Sequence, residues 1–233
     1  MKNILVVITL IFIFSLSISY AKIYDTESEV FEDTNLPFSD LQIPVILKRT
    51  GEQKENKQGK LIFKYHPYIN EIIKANKLGF IEGFTDGTFG PDKTITRAQF
   101  IKIVVELAVN KNFDYGAIPI STSHWVGKWL AVAEMQNIIK KDQFSYDELD
   151  KPITRIEMIC ILSNTQINMK GIDLFTDANL SYTDISDLTE KERELLLHAC
   201  KYELLDGMTE TDEIRPHDNL TRGEAVRAIL RIY

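Results

Sequence analysis

The sequence predicts a mainly α protein: three helix-loop-helix repeats around a central three-helix bundle. Three observations predict it. A six-residue phrase occurs three times, at Ile95–Phe100, Ile153–Met158 and Leu220–Ala225, with its arginines 58 and 67 residues apart. Each phrase opens an amphipathic stripe with the same offsets. A second helical pattern precedes each phrase, so the period is that of a repeated helix pair.

The 233 residues are 44% hydrophobic and 26% charged, enough apolar surface for a packed core. Net charge is −7, which argues against nucleic acid as a partner. Two cysteines exclude a disulfide-dense scaffold or a four-cysteine zinc site, and the four histidines lack ligand spacing. No metal or cofactor is expected. Nucleotide-binding glycine patterns and nucleophile elbows are absent, so no enzyme activity is expected.

Met1-Lys2-Asn3, an uncharged, largely apolar run from Ile4 to Ile18, and Ser19-Tyr20-Ala21 follow the three-part plan of an export signal. Residues 1–21 are therefore expected to be removed, leaving a secreted protein without membrane attachment. At 15 residues the run is short for a bilayer span; an uncleaved anchor is the other reading. Residues 22–37 read as a flexible acidic leader. Repeat 1 spans 38–110, with an insertion near 42–65 whose apolar flanks, Ile43–Leu47 and Leu61–Tyr65, suggest a small β-hairpin and a contact for a protein partner. Repeat 2 spans 111–170 and repeat 3 spans 171–233.

The phrase has a physical meaning. Thr followed three residues later by Gln or Glu is a capping box, so Thr96 with Gln99, Thr154 with Glu157, and Thr221 with Glu224 are structural caps. Ile95 with Phe100 and Ile153 with Met158 fit hydrophobic staples; Leu220 with Ala225 is a weaker one. The stripes that follow (Phe100, Ile103, Val104, Leu107 in the first copy) need one another for burial, which predicts the bundle. The preceding helices are expected near Pro67–Leu78, near Trp125–Ile138, and after Thr189, where Glu192 completes a further box. The first connecting loop is rich in turn formers; the third keeps Gly207 and Pro216; the second, 140–151, has no glycine.

The run Gly79–Pro91 followed by Ile95-Thr96-Arg97-Ala98-Gln99 closely resembles the S-layer homology (SLH) repeat. Leu205-Asp206-Gly207, Pro216 and Leu220–Glu224 resemble it too. The family's opening Phe-x-Asp-aliphatic signature is matched by Phe38-Ser39-Asp40-Leu41 and Tyr182-Thr183-Asp184-Ile185, and its His-Trp start by His124-Trp125. The second copy is degenerate. The resemblance implies a pseudo-threefold, three-pronged fold, one prong per SLH repeat. It also implies non-covalent attachment to the cell wall of a Gram-positive-type bacterium, as S-layer proteins attach. The ligand so implied is a secondary cell-wall polysaccharide joined to peptidoglycan, often ending in a pyruvate ketal on N-acetylmannosamine.

A pyruvate ketal carries a carboxylate. Helix starts offer free amides and a positive dipole end, and an arginine there adds a planar fork of donors. Arg97, Arg222 and Arg155 are therefore the expected carboxylate contacts, with Gly83, Asp86, Gly87, Thr88 and Gly207 as loop contacts. Such an arginine can equally pair with an acidic neighbour; the same offset in three copies favours binding for Arg97 and Arg222, while for Arg155, whose loop lacks glycine, both readings stand equal. Trp125 and Trp129, four apart, are expected to pack in the core, with a sugar-stacking platform as the other reading. Cys160 and Cys200 are expected to be buried thiols, though a bridge outside the cell is open to them. A secreted interaction scaffold that has lost sugar binding is the alternative function.

Overall fold

The computed structural model describes residues 29–30, 35–44, 53–55, 63–109, 113–119, 122–205 and 212–233. The export signal, most of the leader, most of the insertion and Gly207 lie outside the described residues. Among those described, six α-helices carry the fold: α1 (Ile69–Lys77), α2 (Arg97–Ala108), α3 (Gly127–Met135), α4 (Arg155–Lys170), α5 (Glu190–Lys201) and α6 (Arg222–Ile232). A small antiparallel sheet of β1 (Glu29–Val30), β2 (Gln42–Pro44) and β3 (Phe63–Tyr65) has β3 in the centre. The flanks of the insertion thus pair as β2 with β3. The leader departs from expectation, because Glu29 and Val30 add the third strand.

Capping boxes start α2, α4, α5 and α6, with both reciprocal hydrogen bonds present in each. A cap of this kind contributes about 0.5–2 kcal/mol. The predicted ends of the preceding helices were too generous. In the first copy Pro67 stands in a turn ahead of α1 rather than in its first turn, and in the second the helix starts at Gly127, not Trp125.

The three phrases meet end-on in a closed circuit of hydrogen bonds. The amide of Ile95 donates to the carbonyl of Leu220 (3.1 Å), that of Leu220 to Ile153 (3.1 Å), and that of Ile153 to Ile95 (3.0 Å). The next amides point to a neighbouring copy's loop. Arg97 and Ala98 donate to Lys151 and Leu149; Arg155 and Ile156 donate to Asp218 and Pro216; Arg222 and Gly223 donate to Lys93 and Pro91. With the third amide taken by the Thr oxygen and the cap amide by Gln or Glu, all four orphan donors of each helix start are satisfied. The expectation of free amides for an anion is therefore corrected: the neighbouring copy consumes them.

Helix pairing also crosses the copies. α3 packs on α2, α5 on α4, and α1 returns to pack on α6, while α4 touches both α2 and α6. The main core runs through all three box helices, with Phe100, Ile101, Met158, Leu162 and Ile229 buried in it. A second cluster gathers Phe38, Leu41, Ile69, Ile72 and Phe89 around α1 and reaches Val226 of α6.

That last junction explains one departure within the phrase. Ala98 and Ile156 stand where the third copy has Gly223, and a Cβ there would lie 2.3 Å from the ring of Tyr68. Gly223→Ala is expected to destabilise by about 1–3 kcal/mol, as overpacking does. A lowered urea midpoint at unchanged slope checks this.

Candidate functional site

The three equivalent arginines have three different fates. Arg97 is committed to Glu157, the box residue of the next copy: Nε and Nη2 donate to its two oxygens at 3.0 and 2.7 Å, and Nη1 donates to the carbonyl of Glu148. Hydrogen bonding to Glu157 first, against some desolvation, raises the guanidinium pKa. Arg155 is 2% exposed, and its Nη2 lies 3.5 Å from Glu224, the box residue of the third copy. Its Nε and Nη1 are buried without a partner among the described residues.

Arg222 faces the first copy, where the box residue is the neutral Gln99. Its Nε donates to the carbonyl of Phe89 (2.9 Å) and its Nη2 to that of Glu82 (3.3 Å). The guanidinium lies over the rings of Phe89 and Phe84, at 4.5 and 4.9 Å. Among the described residues no carboxylate comes within ion-pair distance of it. Burial lowers its pKa, and the more distant Asp40 opposes that shift.

Arg222 lines a groove of about 580 Å³ together with Gln99, Phe84, Lys102, Tyr115 and Trp125. Trp125 is 50% exposed there, so the expected core role is corrected: its neighbour Trp129 is the partly buried one, packed on the core and donating Nε1 to Glu106. Both rings were legible in the sequence, but which of them faces solvent was not, because α3 starts two residues beyond Trp125.

The loop glycines serve the fold, Gly83 through packing and Gly87 through turn geometry. Gly83 lines the groove, yet its missing Cβ makes room for Phe38, whose ring a Cβ would meet at 2.4 Å. Asp86 accepts from the amide and hydroxyl of Thr88 (2.9 and 2.7 Å), and Gly87 takes φ +82° to complete the turn. These three stand outside the lining of the groove. The Thr88 hydrogen bonds, chiefly the hydroxyl's, hold the Asp86 carboxyl below its ordinary 3.8. Its contribution is present above the ordinary value and fades as pH falls through the lowered one.

Sequence reasoning missed two sets of residues. Asp40 accepts from the amides of Phe89 and Gly90, and Asp184 from those of Ile214 and Arg215, so the opening Asp of each signature fixes the chain just ahead of Pro91 or Pro216. Three histidines pair with aspartates at matching positions: His66 with Asp92 and His124 with Asp150, both at 3.3 Å, and His217 with Asp187 at 2.6 Å. In the third copy the two residue types are exchanged. Cys160 and Cys200 are free thiols, and burial, the largest cause, pushes Cys160 up to about 12. Among the described residues no group of three or more His, Cys, Asp or Glu could hold a metal, and no helix is long and apolar enough to cross a membrane.

Residues 62–101, from the end of the insertion through α1 and its loop into α2, match the S-layer homology domain model. Over that stretch the chain is similar to the S-layer homology domain. Such a domain implies non-covalent association with the cell wall at the cell surface. Relatives include an amylopullulanase of Thermoanaerobacterium thermosulfurigenes, 28% identical over 169 residues, and the exoglucanase XynX of Acetivibrio thermocellus, 26% identical over 169. Each match covers 69% of this chain but only 8% and 15% of those proteins. The S-layer homology match itself contains the Phe84 and Phe89 rings over which Arg222 lies.

Two outcomes follow for this domain. Arg97→Ala should lower stability by about 1.5–3 kcal/mol, because it removes the charged hydrogen bonds that tie the start of α2 to Glu157; denaturant titration reads it. Cys160 should resist iodoacetamide at pH 8 in the native protein and react once guanidinium unfolds it.

Proposed function

We propose that this chain is an exported binding module, not an enzyme, that holds to the cell wall through a secondary cell-wall polysaccharide with an acidic terminus. The observation that carries this is the Arg222 guanidinium, lining a groove with no carboxylate partner of its own. Two of its nitrogens are held by backbone carbonyls, which pre-orders the fork. Nη1 takes no protein acceptor among the described residues and is the donor left for a ligand oxygen. Low local polarity from Phe84 and Phe89 strengthens that contact over its value in water.

The rest of the groove suits a sugar ring. Trp125 and Phe84 present apolar faces, and Lys102 adds a second cation at the wall. A pyruvate ketal would offer the carboxylate to Arg222 and its carbon face to the aromatic rings. Arg97 and Arg155 serve the bundle in this reading, and the protein's acidic balance makes long-range attraction of the polymer weak, so contact is decided inside the groove.

Sedimentation with purified walls, before and after chemical removal of the secondary polymer, tests the reading. The chain should be retained on intact walls and released from stripped ones. Arg222→Ala should abolish retention while circular dichroism keeps its helical signal. Equal retention on both wall preparations would reject the polymer as ligand.

A further inference from the structure

The two locked arginines and the open one differ in a single contact. Arg97 meets Glu157 and Arg155 meets Glu224, each the fifth residue of the phrase in the following copy. Continuing the cycle, Arg222 should meet the fifth residue of the first copy's phrase, and that residue is Gln99. Gln99 serves the cap as the glutamates do: its Oε1 accepts from the amide of Thr96 at 3.2 Å, and its own amide donates to Thr96 Oγ1. It differs from them in bringing no charge. Both Gln99 and Arg222 line the groove.

We infer that Gln99 sets ligand acceptance: its neutrality leaves Arg222 without an internal counter-ion and so reserves the groove for an external carboxylate. Capping alone gives no reason to avoid Glu here, since Glu157, Glu192 and Glu224 all cap helices in this chain. The other carboxylates near the groove do not replace it. Asp40 is spent on the amides of Phe89 and Gly90, and Glu106 on Trp129 and Lys102, while Glu82 reaches Arg222 through its carbonyl. A buried guanidinium held by carbonyls and rings is an incomplete ion pair, and the ligand completes it. The inference rests on the polysaccharide reading for the nature of that ligand.

Calorimetric titration of the full chain with the methyl glycoside of pyruvylated N-acetylmannosamine tests it. Q99E keeps the cap and adds a competing carboxylate, so its affinity should fall about tenfold or more, the scale of one charged hydrogen bond. Q99A loses the cap and adds no charge, so its affinity should fall less than that of Q99E while it melts lower. A merely structural role predicts the reverse order. Parent-like affinity in Q99E, or equal loss in Q99A, overturns the inference. Melting without ligand gives a second reading. Q99E should melt above the parent at neutral pH, and the gain should disappear as acid protonates the new carboxyl. Should no variant, the parent included, take the glycoside, the polysaccharide reading fails, and the melting comparison decides the Gln99 inference alone: a pH-dependent rise supports it and no rise overturns it.

Discussion

Everything in this fold depends on the backbone circuit that joins Ile95, Ile153 and Leu220. Each of those residues gives its amide to one neighbour and its carbonyl to the other, so the three chain segments fix one another. The helices then start in register, and their first two amides find acceptors in the adjoining loop. A buried amide left without an acceptor would cost about 1–3 kcal/mol, so six such donations, two per helix, hold the starts of α2, α4 and α6 in one relative position. The arginines inherit that placement. They sit at the first helical position, where a neighbouring copy's box residue is within reach.

The local chemistry of the helices was legible in the sequence. A Thr and a Gln or Glu three residues apart satisfy each other without help from the rest of the chain, so Thr96, Thr154, Thr189 and Thr221 could be placed from spacing alone. What crosses between copies was hidden. Nothing near Arg97 in the sequence indicates that Glu157, sixty residues on, will accept from its Nε and Nη2. His217 with Asp187 could not be matched to His66 with Asp92 because the residue types trade places. Gly83 suggested an approach for sugar, but its space is filled by Phe38 from the start of the repeat.

Equivalence in sequence has therefore become difference in charge environment. One guanidinium is neutralised, one is sealed, and one is supported by carbonyls and aromatic rings. The scaffold is common to all three, while the charge each arginine meets is chosen by a single residue in the first turn of an adjacent helix. A repeated architecture can thus keep its mechanical plan and vary the chemistry of each junction separately.

The packing of α1 against α6 has a consequence for how the molecule comes into being. These are the first and last helices, separated by most of the chain, and Tyr68 meets Gly223 across their junction. Loop closure on that scale is entropically slow. A chain made from its amino end can pack α1 on Phe38, Leu41 and Phe89 at once, but the side of α1 that meets Val226 and Gly223 stays uncovered until α6 has been made, so the ring of copies closes last at that junction.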